Sequence, residues 1–189
     1  MKIVVDTSVL LFLADPHAPA PTDGKTGKPV QHCAQRVEGL IEDLDEMDAV
    51  LIIPTPVLSE LLICAGKAQA EVLAALTGKR SVVVAHFDQM AAVENAQLRR
   101  AKAKVKHRGE TKKEVSFDLQ ILAIARTTGA DLVLTDDDNL RKRCLQAGMK
   151  VKGIAELTVP DSKRQMHLLA DQSGARVDDD DGDEDEVSP

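Results

Sequence analysis

Neither tryptophan nor tyrosine occurs in these 189 residues, and phenylalanine occurs three times. A core must therefore be filled by Val, Leu, Ile and Ala. Base-stacking platforms, which depend on aromatic faces, have little to be built from, so any hold on nucleic acid is expected to be electrostatic and directed at the backbone. Cysteine is scarce too. Cys33, Cys64 and Cys144 are odd in number and far apart, with no C-x-x-C pair, which argues against a disulfide framework or a zinc site. No apolar run approaches the ~20 residues that span a membrane. The chain enters MKIVVD without the charged and apolar regions of a signal peptide. The expectation is a soluble, cytoplasmic protein with no membrane partner and no internal repeat.

The chain also lacks an even distribution of charge. Its formal net charge is -7, but the segment DDDDGDEDE, residues 178–186, holds eight acids and no base, leaving residues 1–177 with 24 basic and 23 acidic side chains, a balance of +1. An acidic block with no apolar anchor cannot offset the entropy of ordering, so 178–189 is expected to be a disordered tail. The opposite bias occurs in RRAKAKVKHRGETKK, residues 99–113, with eight Lys or Arg and one Glu. That segment reads either as a solvated helix end and loop or as a surface for an anionic partner.

Short β-branched runs recur at KIVVD (2–6), VLIIP (50–54), SVVVAH (81–86), DLVLTD (131–136) and MKVKG (149–153). Their apolar character is continuous, as in strands buried on both faces of a parallel sheet. Helical spacing fills the intervals: Val37, Leu40, Ile41, Leu44 and Met47; 55–62; 68–76; 88–104; Leu119, Leu122 and Ala123; and 139–147. Strands alternating with helices predict a Rossmann-like three-layer α/β sandwich around a central parallel sheet. The Pro- and Gly-rich stretch 16–30 predicts a surface loop. One domain is expected over 1–160, then a short extension over 161–177 containing the helix-like RQMHLLA, then the acidic tail.

In open α/β sheets, ligands bind outside the carboxyl ends of the strands. Asp6 ends the first run, PTPVLSE leads from the second to Glu60, and Asp136, Asp137 and Asp138 follow the fourth, while Asp118 lies in FDLQILAIA before it. Carboxylates within ~4 to 6 Å of each other disfavour joint ionisation, and a helix N-terminus compensates by only ~0.3 to 1 kcal/mol. A hard divalent cation such as Mg²⁺ or Mn²⁺ would compensate more fully and would suit phosphodiester hydrolysis. Each acid also has a plainer reading. Asp6 could cap a helix beginning at Val9, Glu60 could lie on a solvated face, Asp118 could be a first-turn dipole residue, and one Asp of TDDD could cap the helix that follows.

The order and context of these acids in VVDTSVLL, PTPVLSELL, FDLQILAIARTTGADLVLTDD and TDDDNLRKRC resemble the PIN domain family of nucleases over residues 1–155. The resemblance implies a metal-dependent endoribonuclease in which Asp6, Glu60, Asp118 and a last acid hold Mg²⁺ or Mn²⁺. The family's T-x-D spacing from Thr135 favours Asp137 as that last acid, with Asp136 second and Asp138 as cap or outer ligand, while Ser8 matches the small polar position that orients the first Asp. Arg99, Arg100, Lys102, Lys104, Lys106, Arg108, Lys112 and Lys113 would hold the RNA backbone. RNA is the partner this implies, with an antitoxin-type protein inhibitor and a second copy of the chain as further candidates. The loop after Asp15, the basic segment and the acidic tail depart from the compact toxins of bacterial toxin-antitoxin pairs. Two other readings compete: an inactive PIN-like module that binds a protein, and a haloacid dehalogenase-like phosphatase, whose signature requires an acid where this chain has Ser8.

Overall fold

The computed structural model describes residues 1–102 and 111–160. Chain order runs β1 (Lys2–Val5), α1 (Thr7–Ala14), α2 (Cys33–Glu42), β2 (Val50–Pro54), α3 (Thr55–Ala65), α4 (Gln69–Thr77), β3 (Val82–Ala85), α5 (Gln89–Lys102), α6 (Lys112–Thr127), β4 (Leu132–Leu134), α7 (Asp138–Gln146) and β5 (Val151–Lys152). All strand pairs are parallel, in the order β3-β2-β1-β4-β5, and helices flank the sheet as the alternating pattern predicts. Strand order turns back between β1 and β4, because β2 and β3 extend to one side and β5 to the other. That reversal is the position at which open α/β sheets form a ligand crevice.

The central strands are buried as their continuous apolar runs require. Ile3, Val4, Val5, Leu51, Ile53, Val133 and Leu134 are all at most 1% exposed. The outer strand β3 is different: Val83 is 46% exposed, because an edge strand has a neighbour on one side only. At the opposite end of the sheet, α6 and α7 stop where Gly129 and Gly148 take φ of +66° and +77°. The following amides then turn back onto the helix, Ala130 N–H to Ala125 O and Met149 N–H to Cys144 O. This is the closure that a left-handed glycine allows, and it aims the chain into β4 and β5.

Two expectations about element ends are corrected. The helix containing Val37 ends at Glu42 and does not reach Met47, which is 45% exposed. The segment DLDEMD, residues 43–48, turns instead, and aspartates favour turns over helix interiors. The first helix starts at Thr7, two residues before Val9. The Pro- and Gly-rich stretch is a surface loop folded by Asp23, whose carboxylate accepts from Lys25 N–H and Thr26 Oγ1 at 2.9 Å each, with a bridge between Thr22 and Pro29. Residues 161–177, including RQMHLLA, and the acidic tail 178–189 lie outside the described residues.

Candidate active site

Asp6 leaves β1 beside the end of β4, its amide donating to Leu134 O at 2.9 Å. It occupies the N-cap position of α1, yet its side chain makes no capping bond. Its Oδ2 instead accepts from Ser8 Oγ at 2.8 Å and from Thr135 Oγ1 at 2.9 Å. Both hydroxyls are shared further: Ser8 Oγ accepts from Asp136 N–H and Thr135 Oγ1 from Asp137 N–H, each at 3.0 Å. The ends of β1 and β4 are thereby tied through one carboxylate oxygen, and the plain capping reading of Asp6 does not describe its side chain.

Glu60 sits on α3 one turn beyond β2 and is partly buried, its Oε2 accepting from Thr7 Oγ1 at 2.8 Å. Asp118 lies in the second turn of α6, which begins at Lys112 behind a capping box of Thr111 and Glu114, so a first-turn dipole role does not apply. Its Oδ2 meets Arg143 Nε at 3.0 Å. Asp137 caps α7 through Oδ1, which accepts from Asn139 N–H at 2.8 Å and Leu140 N–H at 2.7 Å.

These four acids, from four separate elements, line a single cleft of about 650 Å³ together with Thr7, Ser8, Lys113, Glu114, Phe117 and Asn139. Each commits one oxygen to a protein donor, which fixes its direction. Burial pushes the Asp118 carboxyl up to about 6, reinforced by repulsion from Asp137 and opposed by Arg143. Burial likewise raises Asp6 against the hydrogen bonds of Ser8 and Thr135, and raises Glu60 against that of Thr7. Three neighbouring acids are thus held in surroundings that penalise their ionised forms.

The remaining acids of TDDD separate. Asp136 turns away from the cleft. Its Oδ2 accepts from Ile154 N–H at 3.1 Å, and a Cβ at Gly153 would collide with its Oδ1 and with Arg141. Asp138 is exposed and is the first residue of α7, so the capping role expected of it belongs to Asp137, whose extended backbone places its oxygen over the first helical amides.

The predicted basic residues are also dispersed. Lys113 lines the cleft, Lys112 and Arg100 are exposed, and Arg99 is bonded to Ser116 Oγ. The Lys102 side chain, Lys104, Lys106 and Arg108 lie outside the described residues. Residues that the sequence did not single out are Thr7, Phe117, Asn139 and Arg143. Arg143 has a legible signal after the fact: it shares the buried face of α7 with Leu140 and Cys144, at spacings of three and four.

Among the described residues, no three Asp, Glu, His or Cys side chains stand close enough together to hold a metal ion directly, so an ion here would keep waters between itself and part of the acid set. Oxygen donors around an open, water-accessible space do suit a hard ion such as Mg²⁺, which retains several of its waters.

The family model described as PIN domain matches residues 33–144, a span that includes Glu60, Asp118 and Asp137 and begins after Asp6. VapBC2 from Rickettsia felis, bound to a DNA fragment from its promoter, is similar in structure at 14% identity, with 81% of this chain and 98% of that chain covered and a TM-score of 0.52. DNA-bound VapBC from Salmonella typhimurium shows 20% identity, 82% and 98% coverage and a TM-score of 0.50. Mycobacterium tuberculosis VapC20, a Sarcin-Ricin loop cleaving toxin, shows 17% identity, 74% and 93% coverage and a TM-score of 0.49. No curated protein matches the sequence.

Proposed function

The chain belongs to the PIN domain family, and from that premise we propose that it is a divalent-metal-dependent endoribonuclease. The observation that carries the reading is the convergence of Asp6, Glu60, Asp118 and Asp137, remote in sequence, on one cleft at the sheet's topological reversal. Mg²⁺ or Mn²⁺ would sit among these four carboxylates, reaching part of them through its own waters, with Asp136 outside because it faces a different side of the turn. When bound, such a cation counters charge on phosphoryl oxygens and acidifies a water for in-line displacement.

The chain's own residues set the geometry. Ser8 and Thr135 fix the Asp6 carboxylate, Thr7 fixes Glu60 and Arg143 fixes Asp118. Lys113 at the rim offers the positive charge that a backbone phosphate needs to approach an acidic floor. Likeness to the two VapBC structures extends the proposal to a toxin-like role with a protein inhibitor.

The purified protein should cut unstructured RNA internally with Mn²⁺ or Mg²⁺ and fall silent in EDTA, while phosphomonoesters are left intact. Turnover of a phosphomonoester without RNA cleavage would favour the phosphatase reading. Absence of both would favour the inactive binding module.

A further inference from the structure

Phe117 is the one aromatic side chain lining the acidic cleft among the described residues. It packs on the core along one side and is partly exposed on the other. Phe12 is 2% exposed within the core, and Phe87 follows β3, its amide bonded to Thr55. Scarcity of aromatics argued against base stacking in the chain at large, yet one ring stands next in sequence to Asp118.

Its neighbours supply the other contacts that a nucleotide needs. Lys113 lies four residues earlier on α6, hence on the same helix face. Asn139 lines the cleft from the first turn of α7, and its side-chain amide carries donors and an acceptor that can pair with a base edge. A cleft of about 650 Å³ falls within the ~300 to 1,000 Å³ of small-ligand sites. It holds more than a bare phosphate requires.

We propose that Phe117 is the specificity-determining residue of the cleft, stacking one unpaired nucleobase beside the scissile phosphate while Lys113 holds the adjoining backbone and Asn139 contacts the base edge. The inference rests on the nuclease reading and deepens it. Cutting is directed to a nucleotide that can leave its helix, since a paired base cannot present its face to the ring.

The test uses the full chain carrying Asp6→Asn, so that RNA is bound without being cut, with Mg²⁺ present. The probe is a 12-nucleotide single-stranded RNA in which one abasic ribose is moved through successive positions. One position should weaken binding by about 5- to 150-fold, the range that a single base stack supplies. Phe117→Leu, which keeps the apolar contact with the core, should weaken binding of intact RNA by a similar factor and flatten the scan. Phe117→Tyr should restore both, which separates stacking from a general loss of fold. Tight binding of intact RNA with a flat scan, or an unchanged scan in Phe117→Leu, would overturn the proposal and leave the nuclease reading standing. No RNA binding under any condition would remove both.

Discussion

Asp6 and Asp118 are both raised by burial, but they are compensated differently. Asp6 receives neutral hydroxyls, whereas Asp118 faces the buried guanidinium of Arg143, 2% exposed. Asp6→Asn is therefore expected to abolish cleavage while the metal-free protein melts at the same temperature or higher at pH 7. The pH dependence follows from proton uptake. A folded-state carboxyl raised above 3.8 holds its proton where the unfolded chain has released it, so its contribution to stability falls as pH rises. The advantage of Asp6→Asn over the wild type should accordingly grow as pH climbs from about 4, read as urea midpoints in EDTA; an advantage that shrinks would contradict the burial argument. Arg143→Met is expected to lower the melting temperature at pH 7, because the partly buried Asp118 carboxylate loses its compensating charge; Asp118→Asn, which removes a carboxyl already pushed up to about 6, is expected to cost less while abolishing cleavage. The acids were legible because they stand at strand ends or interrupt apolar helix faces. Arg143 was not, since LRKR reads as a solvated basic run and its partner lies 25 residues away.

At the scale of elements, the turn from β4 into α7 assigns three adjacent aspartates three tasks. Asp137 caps α7 and lines the cleft, Asp136 braces the turn after β5, and Asp138 faces solvent. Asp137→Ala should lose both cleavage and ~0.5 to 2 kcal/mol of stability, the range for a lost cap. Asp137→Ser should recover most of that stability, since a serine oxygen also caps, without recovering cleavage. Asp136→Ala should lower the melting temperature and keep cleavage. Loss of cleavage in Asp136→Ala but not in Asp137→Ala would reverse the assignment. The central strands were legible because burial on both faces leaves an unbroken β-branched run. The end of α2 was not, because Leu44 is fully buried from within a turn and so mimics helical spacing.

At the scale of the whole molecule, charge is divided between an acidic cleft, a basic segment over 99–113 and the acidic block at 178–186. The block's eight carboxylates can compete with RNA phosphates for the same cations. Deletion of 178–189 is expected to tighten RNA binding at low salt, the difference shrinking as the Debye length falls to ~10 Å at 0.1 M. Identical binding curves at low salt would leave the tail as a solubility element. The parallel sheet was legible from alternating apolar runs and helical spacing, and the strand order was not, because nothing linear distinguishes β4 beside β1 from β4 beside β3. That order is what brings Asp6 next to Thr135 and makes one site of four distant acids. The most direct test of that site is cleavage of a 5′-labelled single-stranded RNA in Mn²⁺ by wild type and Asp6→Asn purified in parallel. Discrete internal cuts by the wild type and none by the variant are predicted; equal cutting by both would contradict the assignment.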